Sequence, residues 1–396
     1  LVVLSAAAAL GGAVSGGLAA ERLARIAPRM KQFAERGQIA GAVTLVARHG
    51  QIAHLAASGW QDVEGKKPMK TDSIFQVMSM TKPVTAVAIM MLAEQGKLAV
   101  SDPVERHLPE FRGQMMLESR TEGEVKLRKP ARPITIRDLM THTSGMSGQL
   151  PAGAPDLYTK MNRSLAEAVL LFSQQPLEFE PGSKWQYSNS GIATLGRIIE
   201  VTSGEPYETF IAKKIFEPLG MKDSFFFPPE DKTGRIALVY RSENGKLSRA
   251  DGTILGGNAA EYRKGAKYPA PEFGLYTTAT DLAAFYQMML DGGAYKGKRL
   301  LSPASVETMS RVHTAGIGKV GWLPGGSYGL AWEVIAEPLG TATLMSLGTY
   351  FHGGAFGTHG WIDSKKDLVG VYLVQRTSGG DDARNAFMAM TNAAVE

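Results

Sequence analysis

The stretch that most constrains this chain runs over residues 81–95, which the sequence predicts as a single helix. Pro83 suits a first turn, where its missing N–H is no loss, and Gly96 supplies the stop. Val84, Val87, Ala88, Met91 and Leu92 line one face, yet Ala86, Ile89, Met90 and Ala93 make the other side apolar too. A helix apolar all round has to be enclosed, so it demands a sizeable protein folded about it. Its first turn nevertheless brings Ser79 and Lys82 to one face, at a spacing of three residues. A hydroxyl and an amine at the mouth of an apolar helix call for an explanation.

The 396 residues, 44% of them hydrophobic, suffice for two lobes or one large domain around such a helix. Formal net charge is +5, but Lys and Arg are scattered among Asp and Glu without a basic stripe interleaved with aromatics, which argues against nucleic acid as a partner. The chain has no cysteine, which excludes disulfides, thiolate zinc sites and a Cys nucleophile. Its 7 histidines show no metal-ligand spacing, and only His352 and His359 fall fairly close together. Residues 1–20 carry no charge and look like the apolar and small-residue parts of a secretory signal, with Gly17-Leu18-Ala19 as a passable cleavage site. That reading predicts a secreted or periplasmic protein; the competing one is an N-terminal membrane anchor. No later stretch is long and apolar enough to cross a bilayer.

Taken in order, residues 21–37 read as a helix, and 41–48 with 51–58 as a β-hairpin turning at His49-Gly50. Residues 100–135 are loop-rich, 136–140 form a short helix, and helices follow at 165–173, 191–202, 207–215 and 280–291. Residues 241–271 are polar and Gly-rich, a long loop or lid. The last third changes character: 328–335, 341–347, 356–363 and 367–375 read as strands of an antiparallel meander, with a closing helix over 382–395. Strands at both ends predict an α/β fold of α+β type. Residues 21–78 and 272–396 would form a sheet lobe, and 79–271 an inserted, mainly helical lobe with the Ser79 helix at the junction.

Three motifs carry chemistry. Ser79-Met80-Thr81-Lys82 is an S-x-x-K pattern in which a helix N-terminus favours an oxyanion and apolar surroundings lower the proton affinity of the lysine. The competing reading is a capping serine with a snorkelling lysine. Tyr187-Ser188-Asn189 places a tyrosine that a nearby ammonium can turn into a phenolate base, and an asparagine able to bond a substrate carbonyl or the lysine. Alone it reads equally as a buried tyrosine and a turn asparagine. His352-Gly353-Gly354-Ala355 opens a predicted strand, where glycines admit a substrate closely and the Ala355 amide can serve as a second oxyanion donor; its plainer reading is a hairpin turn. A rival nucleophile, Ser327 in Gly325-Gly326-Ser327-Tyr328-Gly329, matches G-x-S-x-G but lacks the strand before and helix after that an elbow needs. His142 sits in a turn-forming Thr/Ser/Gly run suited to loop bracing, while Trp185 and Trp361 flank motif residues and read either as pocket walls or as core.

Together these motifs, in this order, resemble the serine β-lactamase and penicillin-binding-protein superfamily, nearest its class C branch and the family VIII carboxylesterases. The resemblance runs over about residues 21–390 and includes 75–83, 133–145, 181–191 and 353–358. It implies an active site between a sheet lobe and a helical lobe, with Ser79 as the acylated nucleophile. Lys82 and Tyr187 would be the base pair, the Ser79 and Ala355 amides the oxyanion hole, and neither metal nor organic cofactor is expected. Lactamases of that group usually carry Lys-Thr-Gly where this chain has His352-Gly353-Gly354. A largely neutral imidazole and a missing hydroxyl weaken binding of an anionic substrate. The expectation is therefore a carboxylesterase for short acyl esters, ahead of a β-lactamase, D-amino-acid peptidase or transesterase, and ahead of a non-catalytic sensor or scaffold.

Overall fold

The computed structural model describes residues 16–250, 265–341 and 343–396. Most of the signal-like segment, and part of the 241–271 stretch, therefore lie outside the described residues. Leu18 lies within them, buried and bridged to Val395.

Alternation along Gly41–Arg48 (β1) decides the layering. Val43, Leu45 and Ala47 enter one hydrophobic core while Ala42 and Val46 enter another. Leu368–Val374 alternates in the same way, so this pair of strands divides two apolar layers. The sheet is completed by Gln51–Asp62 (β2), Lys67–Pro68 (β3), Gly326–Tyr328 (β4), Glu333–Ile335 (β5), Tyr350–Gly353 (β6) and His359–Asp363 (β7), with Leu368–Val374 as β8. Its order is β4-β5-β6-β7-β8-β1-β2-β3, antiparallel throughout, and the two ends of the chain meet where Ala42 lies opposite Val374.

Helices Ile26–Glu35 (α1) and Asp382–Ala393 cover one face of this sheet, and Ala279–Leu290 covers the other. Beyond that second face lies Thr81–Glu94 (α2), whose residues from Thr81 to Met90 are all buried, as its all-round apolar character requires. Against it packs Asn189–Ser203, backed in turn by Leu165–Ser173 and Ile136–Met140. The other helices named so far are labelled in chain order Ile136–Met140 (α3), Leu165–Ser173 (α4), Asn189–Ser203 (α5), Ala279–Leu290 (α6) and Asp382–Ala393 (α7).

The mixed α/β class is as expected, but several elements differ from the sequence reading. The inserted region is not wholly helical: hairpins Met116–Arg120/Val125–Arg128 and Tyr240–Glu243/Lys246–Arg249 interrupt it, the second within the expected long loop. Residues 328–335 are not one strand. Left-handed Ala331 (φ 61°) and the Gly329-to-Trp332 hydrogen bond fold them into the β4–β5 turn. The strand expected at 341–347 forms instead at Tyr350–Gly353, because residues 338–341 coil into a 3₁₀ turn. The 356–363 run begins only at His359, after a turn at Gly354–Thr358.

One contact fixes how α5 and α2 meet the segment that leads to α6. Gly196 of α5 lies against Pro271; a Cβ there would stand 2.2 Å from the Pro271 ring. The neighbouring Pro271 carbonyl accepts from Thr85 of α2 at 2.7 Å. A proline ring cannot swing aside, so Gly196→Ala is expected to destabilise the protein by about 1–3 kcal/mol, read as a lowered midpoint in denaturant unfolding.

Candidate active site

Ser79 does not sit in the α-helix itself. It occupies a 3₁₀ turn, Met78–Met80, that feeds into α2, and the turn opens with Met78 held at φ 51°. A positive φ at a buried non-glycine residue persists only where surroundings over-determine it. Here the strap before Ser79 is fastened on several sides. Val77 N–H donates to the Leu275 carbonyl, the Val77 carbonyl accepts from Thr358 Oγ1 at 3.0 Å, and Gln375 donates to the Gln76 carbonyl.

Lys82, one turn on, is fully buried, and its Nζ lies 3.0 Å from Ser79 Oγ, 2.9 Å from Asn189 Oδ1 and 2.8 Å from the Glu272 carbonyl. An amide oxygen and a main-chain carbonyl can only accept. They take two N–H bonds, so a neutral Lys82 has its lone pair left for the Ser79 hydroxyl. Burial favours that neutral form, lowering the ammonium from 10.5 to about 7 against the opposing charge of Glu272.

Tyr187 completes the group with a hydrogen bond to Ser79, its ring 4.6 Å from Lys82 Nζ. Burial works against the expected phenolate. Burial lifts the phenol above its usual range, and the bond with Ser79 only partly opposes this, so Tyr187 is held as a neutral donor. His142 braces it: the imidazole lies 4.4 Å from the Tyr187 ring, centroid to centroid, and its Nδ1 accepts from Ser188 N–H at 3.1 Å. The His142 loop is anchored by the Thr135–Asp138 capping box of α3, with Arg132 paired to Asp138.

The third motif lies across the cleft. His352 and Gly353 end β6, rather than opening the next strand, and Gly354 and Ala355 form the turn beyond it. Gly354 is needed for the protein's own contact: a Cβ there would stand 2.3 Å from the Val77 carbonyl, on the strap that presents Ser79. Neither the Ser79 nor the Ala355 amide has a backbone acceptor among the described residues, and both residues line one cavity of about 290 Å³. Two free N–H groups flanking a nucleophilic hydroxyl suit an oxyanion.

His352 is neutral, and its tautomer follows from its partners. Nδ1–H donates to the Gly353 carbonyl at 2.7 Å, which leaves Nε2 to accept from Tyr328 O–H at 3.2 Å. Burial, then the Lys82 charge, lower its proton affinity to about 3. The cavity wall continues through Trp322, Tyr328 and Glu333. Glu333 accepts from the Trp322 and Leu323 amides at 3.0 and 2.9 Å, and Trp322 is 71% exposed, making it the outer edge of the cleft. No lysine or arginine lines the cavity among the described residues.

The structure thus brings Ser79, Lys82, Tyr187, Asn189, His352, Gly353, Gly354 and Ala355 to one place. Trp361 is elsewhere, packed against Phe387 in the core on the far side of the sheet. Trp185 lies beside Tyr187 and Trp322. Ser327 is a strand residue whose hydroxyl pairs with Thr314 at 2.8 Å. Glu272, Trp322, Tyr328 and Glu333 were not legible as site residues: Tyr328 stands in the G-x-S-x-G match only as its variable position, the others lie in no motif, and all four join the cleft only through the fold. Among the described residues no group of three or more His, Asp or Glu is placed to hold a metal, and no helix is long and apolar enough to cross a membrane.

A sheet lobe and a helical region that join around a Ser–Lys–Tyr group, with two free amides opposite, define a serine hydrolase. The chain belongs to the Beta-lactamase family, whose model matches residues 26–395. It is 30% identical over 380 residues to esterase EstB of Burkholderia gladioli, covering 91% of this chain and 92% of that one. It is also 30% identical over 289 residues to lovastatin esterase of Penicillium rubens, covering 70% of each. Among solved structures it is similar to EstCE1, described as a hydrolase with promiscuous acyltransferase activity, at TM-score 0.79 and 27% identity over 95% of this chain and 99% of that one.

The hydrogen bonds of His352 make a direct expectation. In ¹⁵N NMR its ring should show protonated Nδ1 and unprotonated Nε2, and remain neutral on acidification until about pH 3. An imidazole that charges near its ordinary value would contradict the buried geometry.

Proposed function

We propose that the protein is a carboxylesterase for short-chain, uncharged esters, working through an acyl-enzyme on Ser79. The observation that carries this reading is the wall opposite Ser79: a neutral, fully engaged His352, a Glu333 carboxyl and no lysine or arginine among the described lining residues. A β-lactam or C-terminal peptide presents a carboxylate, which finds no cation or free imidazole N–H there. An ester with an apolar acyl group meets Trp322 and Tyr328 instead. The esterase names of two relatives support the same direction.

In this reading, neutral Lys82 takes the Ser79 proton as Oγ bonds to the ester carbonyl carbon, and the Ser79 and Ala355 amides hold the oxyanion. The tetrahedral adduct collapses by expelling the alkoxide, which receives the Tyr187 phenol proton; Lys82 returns its proton to Tyr187. Water then attacks the acyl-serine with the roles reversed, and releases the acid. An alcohol entering in place of water would give transesterification, in line with the description of EstCE1. The uncharged residues 1–20 support export, so we place this chemistry outside the cytoplasm or in the periplasm.

Ser79→Ala is expected to lower p-nitrophenyl butyrate hydrolysis by roughly a thousandfold or more in kcat. Undiminished turnover would reject Ser79 as nucleophile. Nitrocefin cleaved faster than the butyrate ester would instead favour the lactamase reading. Because Lys82 acts as a base and titrates at about 7, kcat/KM should fall as pH drops through that value and level off above it.

A further inference from the structure

Glu272 is a buried carboxyl that the chemistry above does not use. Its main-chain carbonyl holds Lys82, but its side chain points into the protein, where Tyr268 donates to Oε1 at 2.8 Å. The buried Tyr158 phenol is a second hydrogen-bond partner of the carboxyl. The groups facing the carboxyl from each packed element are Lys82 of α2, Tyr158 of the short helix Leu157–Lys160, Tyr187 of the loop before α5, Tyr207 of Tyr207–Ile211, and Tyr268 of its own segment. All but Lys82 are phenols that burial keeps neutral or that donate to it. Among the described residues Lys82 is the cation that bears on the carboxyl, and His142 and His352 in turn face the charge of Lys82.

A glutamine would fit this space and accept from Tyr268 equally well, so packing alone does not require an ionisable group. A buried carboxyl held only by neutral phenols is costly to ionise unless its charge has a use. We propose that Glu272 is a positioning residue for Lys82, whose carbonyl orients the amine toward Ser79 and whose carboxyl tunes how readily that amine releases its proton. This rests on the Ser79–Lys82 reading given above and deepens it.

The direction follows from the charges. Burial raises Glu272 to about 7, where it is partly ionised at neutral pH, and its negative charge opposes the loss of the Lys82 proton affinity. Removing that charge lets Lys82 become neutral at lower pH. Glu272→Gln should therefore move the acid limb of Ser79 reactivity downward by roughly half to one pH unit.

The readout is the rate at which a fluorophosphonate labels Ser79 across the neutral range, with p-nitrophenyl butyrate turnover followed in parallel. A lowered midpoint supports the proposal; a midpoint unchanged or raised overturns it, whatever the plateau rate. Tyr268→Phe provides a second variant should Glu272→Gln fold poorly. Losing the Tyr268 donor keeps Glu272 protonated to higher pH, so the midpoint should again fall, and an unmoved midpoint in the folded variant also overturns the proposal. Labelling that shifts as expected without any ester turnover would sink the esterase reading and leave this one standing.

Discussion

The structure turns on the three hydrogen-bond directions of one buried amine. Two oxygens that can only accept occupy two of them, so the remaining direction from Lys82 is set toward Ser79. Those fixed oxygens come from separate parts of the chain: Asn189 from the start of α5, and the Glu272 carbonyl from the segment leading to α6. The geometry of the amine thus reports whether the inserted helical region and the second half of the sheet lobe are correctly seated against α2. The close contact of Gly196 on Pro271, the residue before Glu272, is part of that seating.

The opposite wall follows a different logic. A cation there would have served an anionic substrate, but His352 spends both ring nitrogens on the protein itself. Tyr328 and Gly353 hold the ring still, burial keeps it uncharged, and the Glu333 carboxyl nearby, itself raised by burial, supplies no positive charge. Selectivity in this cleft therefore depends on what it cannot hold as much as on what it can. Trp322, at the solvent edge, packs edge-on against Trp185 and Tyr187, so the rim of the cleft rests on the ring beside Ser79.

Much of this was legible in the sequence because local patterns matched the eventual environment. The all-round apolar helix over 81–95 had to be buried, and it is. Alternation in 41–48 and 367–375 marked the strands that join the chain's two ends. Ser79, Lys82, Tyr187 and Asn189 stand in short patterns whose chemistry depends on residue type. What escaped were features made by long-range contact. Ala331 in a left-handed conformation breaks an apparent strand that propensity favours. Met78 positions the nucleophile by a strained turn that no composition announces. Burial raises the Tyr187 phenol and the hydrogen bond with Ser79 only partly opposes it, a balance set by packing rather than by neighbours in sequence.

The strap before Ser79 has a bearing on the order in which this protein comes apart. Its backbone is bonded at once to Leu275, to Thr358 in the turn that carries Ala355, and to Gln375 at the end of β8. Nucleophile, oxyanion donors and central sheet are thereby cross-tied into a single cooperative unit, unlike a catalytic loop that frays while the scaffold persists. The Val77 amide proton, bonded to the Leu275 carbonyl, should consequently exchange on the timescale of the central strands, while the free Ser79 amide exchanges faster. Loss of the site and loss of the fold are then one event, and no folded but disassembled enzyme separates them.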